Sequence, residues 1–396
     1  MNQTAALRDI LTAVDVAPPQ RNAADAGLAQ SLWQGDAGTA LLHCELAANS
    51  EGSRATAHAW ITAIASHRIS ANPASGMFAG APAIAFVLSA AGDRYPDELD
   101  LLLKHTVDVA HHRLDIAHER IHSGKTATFA EFDVLRGLTG IGRLLLRCRP
   151  GDDATARILE YLVALTKPIT IDGCRRPGWW VGHDPDPVLP TPAGHDNLGL
   201  AHGIAGPLAL LAIAHREGIT VDGQTEAIEF ISQHITTQTI HNGQIWWWPQ
   251  WVTGEGTHPH TVHPPRPSWC YGTPGIARAL QMGAIATGDT PTRRLAEDAA
   301  ISAVTAAGSL NQLTESGLCH GWAGTYLTTW HIAHDMSDHR LSSALSNLVN
   351  RFATSVDNHS ADPSLLDGTT GAALAACHAL TDATSSTGWE QCLLLN

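Results

Sequence analysis

The sequence predicts an all-α protein in which seven helical-hairpin repeats form an α/α toroid, a double ring of helices. Three observations favour this fold class: a Gly-x-x-Gly pattern that recurs seven times, an apolar run after each copy, and amphipathic segments between the copies. Apolar residues make up 44% of the 396 residues and charged residues only 16%, which is typical of a chain with a large buried core.

The Gly-x-x-Gly copies start 45, 57, 66, 69, 49 and 47 residues apart along the chain. Periods of this length are typical of repeat proteins whose unit is a pair of helices. Six copies have both glycines, whereas the copy at Gly80 has Ala83 in place of the second glycine. The copies span residues 35–38, 80–83, 137–140, 203–206, 272–275, 321–324 and 368–371.

Each copy is followed by an Ala/Leu-rich run of about 10 to 14 residues, which predicts an inner helix rather than a strand. Between the copies lie segments whose charges fall largely on one side, as expected of outer helices. Clear examples are Ala154–Thr166, Gln224–Ile235, Thr292–Ala307 and Leu341–Thr354. Each repeat is therefore predicted to contain an outer helix, a loop, a glycine turn and an inner helix.

Seven hairpins can form an open solenoid or a closed ring. The end repeats of a solenoid usually carry polar caps, whereas the first and last copies here resemble the middle ones. We therefore expect a closed ring and a single domain over residues 1–396. Two longer intervals, Asp172–Asn197 and His241–Ser268, predict irregular loops and short β-like insertions.

Charge and cysteine content exclude several classes of function. The chain has 24 basic and 38 acidic residues, a net charge of −14, which argues against nucleic acid as a partner. It has no apolar stretch of the roughly 18 residues that a membrane span needs, so we expect no membrane insertion. Its seven cysteines include no Cys-x-x-Cys pair, which predicts free thiols and a cytoplasmic protein.

The residues just before each glycine pair carry the candidate chemistry, because equivalent positions in a ring of repeats lie at the same rim. Cys270 lies two residues before Gly272, and Cys319 and His320 directly precede Gly321. Two thiolates and one imidazole suit zinc, which keeps a fourth position open in catalytic sites. A single buried cysteine is more often a core residue. The equivalent placement in adjacent repeats is what predicts a metal site.

These motifs resemble the lanthionine synthetase C family. The segments that carry the resemblance are Gly199–Gly206 (GLAHGIAG), Ser268–Gly275 (SWCYGTPG) and Leu318–Gly321 (LCHG). The resemblance covers essentially the whole chain. It implies an α/α toroid that holds Zn²⁺ through two cysteines and a histidine, here Cys270, Cys319 and His320.

The resemblance also implies catalytic roles for Asp133, His202, Arg266 and Tyr271. His202 is the candidate acid or base, since histidine titrates near working pH. Asp133 would orient His202, while Arg266 and Tyr271 would stabilise the oxygen of an enolate. The structural alternatives are a salt bridge between Asp133 and Arg266, and a Tyr271 that only packs beside the ligands.

The implied function is that of a zinc-dependent lanthipeptide cyclase, which adds peptide cysteine thiols to dehydroalanine or dehydrobutyrine and forms thioether rings. The implied partners are a dehydrated precursor peptide with leader and core, a dehydratase and a transporter. One rival function is the addition of glutathione to dehydrated residues in other proteins. Two others are a non-catalytic peptide scaffold and a glycoside hydrolase that uses rim carboxylates such as Asp36, Asp133 and Asp367.

The tryptophan-rich stretch has two interpretations. Trp246, Trp247, Trp248 and Trp251 fall within six residues of one another. They would either pack a β-like insertion or line a groove for a peptide. The sequence favours packing.

Overall fold

A computed structural model of the protein describes residues 3–14, 16–185, 190–254, 256–257, 263–355 and 362–396. In these ranges the chain forms sixteen α-helices. In chain order they are α1 (Gln3–Ala13), α2 (Ala26–Ala29), α3 (Asp36–Ala48), α4 (Arg54–Ile64), α5 (Ala81–Ala90), α6 (Pro96–His122), α7 (Phe129–Phe132), α8 (Leu138–Cys148), α9 (Asp153–Ala164), α10 (Ala205–Arg216), α11 (Gln224–Thr237), α12 (Thr273–Thr287), α13 (Thr290–Thr305), α14 (Trp322–Asp335), α15 (Ser342–Ser355) and α16 (Thr369–Thr381).

The predicted helical hairpins are confirmed. The seven inner helices α3, α5, α8, α10, α12, α14 and α16 each begin within a Gly-x-x-Gly copy or directly at its edge. They are buried almost throughout, as in α14, where Trp322–Ile332 are all buried. The outer helices α1, α4, α6, α9, α11, α13 and α15 bury one stripe only. The inner helices are more deeply buried than the outer ones because their sequences are rich in small apolar residues.

The ring is closed, because α16 packs against both α1 and α3. A circle of seven backbone hydrogen bonds, here called the rim circle, joins each repeat to the next, with donor–acceptor distances from 2.7 to 3.4 Å. It uses residues two or three positions before each first glycine. The N–H to C=O pairs are Leu32–Phe78, Phe78–Leu135, Val134–Ala201, Ala201–Cys270, Cys270–Cys319, Cys319–Leu366 and Leu365–Trp33. An open solenoid would lack the last pair.

Glycine recurs before the inner helices because the preceding loop crosses their first turn. A Cβ on Gly275 would collide with the carbonyl oxygen of Trp269, and one on Gly324 with that of Leu318. The degenerate copy uses another geometry, since Gly80 has a φ of 74°, where glycine is favoured, while the buried Ala83 is tolerated.

The centre of the ring is filled by the C-terminal segment. Trp389–Leu393 form a 3₁₀-helix, and Leu393, Leu394 and Leu395 are fully buried. The indole N–H of Trp269 donates to the carbonyl of Leu393 at 2.9 Å, and Arg278 donates twice to that of Leu395 at 2.9 and 2.7 Å. This filling is not predicted by the sequence pattern.

Seven short strands lie in or directly beside the two irregular intervals among the described residues. These are β1 (Ile169–Ile171), β2 (Cys174–Arg176), β3 (His195–Asn197), β4 (Ile240–His241), β5 (Trp246–Trp247), β6 (Trp251–Thr253) and β7 (Gly256–Thr257). They pair antiparallel as β1–β2, β3–β6–β7 and β4–β5. Parts of the two predicted insertions, residues 186–189, 255 and 258–262, lie outside the described residues.

The tryptophan-rich stretch packs inside the insertion, as the sequence favoured. Trp247, Trp248 and Trp251 are buried, and the half-buried Trp246 stacks on His241. Among the helices of the described ranges, none combines the length and the apolar character needed to cross a bilayer.

Candidate functional site

The rim circle places the two candidate cysteine ligands next to each other. Cys270 and Cys319 occupy the same position in neighbouring repeats, and the N–H of Cys270 donates to the carbonyl of Cys319 at 3.2 Å. His320 follows directly in the chain. One ligand atom from each of these three residues lies within 4.8 Å of the other two. In the other repeats the equivalent position is apolar, as Trp33, Phe78, Leu135, Ala201 and Leu366.

The protonation of the three groups is coupled. Hydrogen bonding from Cys319, together with His320 and Ser268, holds the pKa of Cys270 well below the ordinary thiol value. The same hydrogen bond to Cys270, with burial, raises the pKa of Cys319. Hydrogen bonding to Cys270 also raises the pKa of His320. The two cysteines therefore readily hold one thiolate between them.

This donor set fits a metal ion. With bond lengths of about 2.0 to 2.3 Å, the ligand atoms of a tetrahedral zinc site lie roughly 3.3 to 3.8 Å apart, so small side-chain adjustments suffice. Two sulfurs and an imidazole are soft or borderline donors, which favours zinc over magnesium or calcium. The three side chains could hold such an ion and leave a fourth position open.

Carboxylates surround His320. Oε2 of Glu315 lies 2.5 Å from Nε2 of His320, and Oε1 of Glu315 lies 3.8 Å from the guanidinium of Arg266. Oδ1 of Asp367 is 4.0 Å from Nδ1 of His320, while its Oδ2 accepts the indole N–H of Trp33 at 2.8 Å. Glu315 was not predicted from the sequence, although it lies six residues before Gly321, as Arg266 lies six before Gly272.

His202 is held by a buried carboxylate. Its Nδ1 lies 2.6 Å from Oδ2 of Asp133, whose side chain has 0% exposure against 25% for His202. Oδ1 of Asp133 accepts the main-chain N–H groups of Arg136 and Gly137 at 2.6 and 2.7 Å. The alternative of a salt bridge between Asp133 and Arg266 is therefore wrong, because Arg266 faces Glu315 instead.

Tyr271 lies between the two clusters. It follows Cys270 directly, and its ring centroid is 6.0 Å from that of His202. The ring packs on Gly199, where a Cβ would collide with it. Burial raises the pKa of Tyr271, and Asn197 beside it opposes the rise in part. The ring centroid of Phe129 also lies 5.5 Å from that of His202.

A closed double ring of helices, with a candidate metal cluster and a hydrogen-bonded Asp–His pair at one rim, defines a class of helical toroid proteins. The sequence model of one family, described as lanthionine synthetase C-like protein, matches residues 28–394. The chain belongs to this lanthionine synthetase C-like family. The resemblance seen in the sequence is confirmed.

Two known proteins are similar to the chain. The nisin biosynthesis protein NisC of Lactococcus lactis subsp. lactis is 28% identical over 204 residues, which span 49% of this chain and 47% of that protein. The match thus spans about half the length of the curated relative. A solved structure named nisin cyclase aligns with a TM-score of 0.78 and 20% identity, over 100% of this chain and 96% of that chain. This likeness confirms the toroid fold.

Proposed function

We propose that the protein is a zinc-dependent lanthipeptide cyclase, which adds cysteine thiols of a peptide to dehydroalanine or dehydrobutyrine and forms lanthionine or methyllanthionine rings. The observation that carries the proposal is the cluster of Cys270, Cys319 and His320 beside the Asp133–His202 pair. Zinc, when bound by the three ligands with one position open, lowers the pKa of a thiol that approaches it. The family membership supports the same activity.

In the proposed reaction His202 moves the proton. Its Nδ1 is engaged by Asp133, so Nε2 is the nitrogen available to the substrate. The thiol gives up its proton, the sulfur bonds to the alkene β-carbon, and the π electrons pass to the α-carbon and the neighbouring carbonyl oxygen. Protonation of the α-carbon then completes the addition. The buried charge of Asp133 stabilises the imidazolium that exists between the two transfers.

Tyr271 and Arg266 are the proposed partners of the enolate oxygen. The raised pKa of Tyr271 keeps its hydroxyl protonated and able to donate a hydrogen bond. Arg266 supplies a fixed positive charge beside the ligand cluster, where Glu315 orients it. Both groups would act on charge that develops only during the reaction.

We propose that residues 1–396 form one cyclase domain that works in the cytoplasm. Its substrate is a dehydrated precursor peptide with leader and core, and its further partners are a dehydratase and a transporter. The similarity to NisC, a nisin biosynthesis protein, supports a peptide substrate by analogy.

A glycoside hydrolase function is disfavoured because the three candidate carboxylates already accept hydrogen bonds from other side chains. Asp36 accepts two hydrogen bonds from Arg21, at 2.9 and 2.8 Å. Asp133 holds His202, and Asp367 accepts the indole of Trp33. A hydrolase needs one of two carboxylates protonated and the other free to act on sugar or water.

Incubation with a dehydrated, cysteine-containing peptide tests the proposal. Ring formation leaves the peptide mass unchanged but removes a thiol, so mass spectrometry after alkylation should show loss of one adduct per ring. We expect about one zinc per chain by elemental analysis, and loss of both zinc and ring formation in Cys270→Ala. Cys174→Ala is the matched control, because Cys174 is exposed on β2.

Two results would overturn the proposal. The first is ring formation by a wild-type protein that contains no zinc. The second is a preference for added glutathione, seen as a peptide mass increase by one glutathione without ring formation, which would favour the rival activity.

A further inference from the structure

Glu315 makes the shortest polar contact to the candidate ligand His320. Its Oε2 lies 2.5 Å from Nε2 of the imidazole. Nδ1, the other ring nitrogen, lies 4.0 Å from Oδ1 of Asp367. Neither the motifs of the sequence nor the family resemblance assigns a role to Glu315.

The backbone of Glu315 is fixed by the repeat itself. The residue six positions before the first glycine is Asn197, Arg266, Glu315 or Asp362 in the last four repeats, and its carbonyl oxygen would collide with a Cβ on that glycine. The carbonyl of Glu315 also accepts the N–H of Trp322 at 2.9 Å. The carboxylate and the imidazole are thus anchored to the two ends of one short turn.

We propose that Glu315 is a positioning residue for the metal centre: it accepts the Nε2 proton of His320, fixes the tautomer with Nδ1 turned towards the thiols, and holds Arg266 through its second oxygen. The inference rests on the proposed function, since it assumes that the cluster binds zinc. Carboxylates that hold the far nitrogen of a metal-bound histidine orient the ring and make it a stronger ligand.

The exposure of the pair argues against a role in folding. The side chains of Glu315 and Arg266 are 46% and 36% exposed, and their charged groups are 3.8 Å apart. Ion pairs this exposed contribute little to stability. A substitution at Glu315 should therefore leave the fold intact and change the metal site.

The test compares zinc affinity in Glu315→Ala, Glu315→Gln and wild type by competition with a chromophoric chelator. We expect zinc to bind about 10- to 100-fold more weakly in Glu315→Ala. The loss should be smaller in Glu315→Gln, whose amide oxygen still accepts the Nε2 proton. Glu217→Gln is a matched control with unchanged affinity, because Glu217 is 43% exposed and lies 3.8 Å from Arg143, away from any ligand.

Cobalt(II) substitution distinguishes a positioning residue from a residue that itself binds the metal. Glu315 is not itself a ligand, so the visible spectrum of the cobalt form should keep its thiolate bands in both variants. Wild-type zinc affinity in Glu315→Ala would overturn the positioning role alone, and so would a changed coordination spectrum. A wild-type protein that binds no zinc would overturn both this inference and the proposed function.

Discussion

Asp133→Asn is the sharpest perturbation of the proposed acid–base pair. The substitution keeps the shape of the side chain, and its amide oxygen can still accept the N–H groups of Arg136 and Gly137. The amide nitrogen then faces Nδ1 of His202, donor against donor. The imidazole relieves this conflict by moving its proton to Nε2, where it can no longer take a proton from the substrate.

The expected loss follows from the charge that the substitution removes. The carboxylate of Asp133 is fully buried and 2.6 Å from Nδ1, which puts the centres of the two charged groups about 4 Å apart. At an effective dielectric constant of about 20, two unit charges at that distance interact by about 4 kcal/mol. Because each 1.36 kcal/mol changes a rate tenfold, ring formation should slow by about 10³-fold.

A second buried Asp–His pair in the same chain provides the control. Oδ2 of Asp196 lies 2.5 Å from Nε2 of His234, and the side-chain exposures are 4% and 23%, close to those of the Asp133–His202 pair. Asp196→Asn should cost stability without a comparable loss of rate. The assay is single-turnover ring formation, followed by thiol alkylation and mass spectrometry, with the zinc content of each variant measured in parallel.

Two outcomes would contradict this prediction. A wild-type rate in Asp133→Asn would show that the buried charge does not assist proton transfer by His202. An equal loss in Asp196→Asn would show that the effect comes from structural damage. Retained zinc in Asp133→Asn is expected, because Asp133 is not among the clustered ligands.

Two further predictions concern stability. Gly324→Ala should destabilise the protein by about 3 kcal/mol in urea unfolding and weaken zinc binding, because its Cβ would displace the carbonyl of Leu318 beside Cys319. Gly27→Ala is the control, because the space around its new Cβ is open. Equal stability of the two variants would contradict the predicted collision. Burial lowers the pKa of His378 from 6.5 to about 4, so the unfolded state binds more protons between these pH values and stability falls as pH drops from 6.5 towards 4. His378 should cost about 2 kcal/mol of folding stability at pH 5. The difference in unfolding free energy between wild type and His378→Asn should therefore be smaller at pH 5 than at neutral pH, and a difference that does not change with pH would contradict this prediction.

The inner ring of helices could be predicted from the sequence because the glycines that mark it are required by local contacts. The glycines are required wherever a loop carbonyl lies on the first turn of a helix, as Leu318 does on Gly324, and the requirement recurs in the six repeats that have both glycines. The filling of the ring by Leu393–Leu395 could not be predicted in the same way. These residues are held by Trp269 and Arg278, more than a hundred positions away, and nothing in their own pattern indicates the contact.

The candidate ligands were predicted from their position relative to the glycine that follows them in each repeat. The same relation points to Glu315, which was not predicted. Cys270 and Cys319 share the second position before the glycine, so the rim circle makes them neighbours although 49 residues separate them. Arg266 and Glu315 share the sixth position, and they too face each other across adjacent repeats. Arg266 was predicted from the family resemblance, and the signal that would have found Glu315 is the same offset in the next repeat.

In a ring of repeats a side chain meets its equivalents in the two neighbouring repeats, so function can be built from different residues at one shared offset. The sixth position illustrates this, with an amide at Asn197, a cation at Arg266 and an anion at Glu315 in three successive repeats. The main chain at each of these three positions packs closely on the glycine six residues later. Exchanging one side chain should therefore alter the chemistry without moving the neighbouring residues. A charge-swapped double variant, Arg266→Glu with Glu315→Arg, should therefore fold and keep an ion pair yet bind zinc more weakly, because a guanidinium cannot accept the Nε2 proton of His320. Zinc affinity equal to wild type in this double variant would show that the ring tolerates either charge beside the ligand and that the offset, rather than the residue, carries the function.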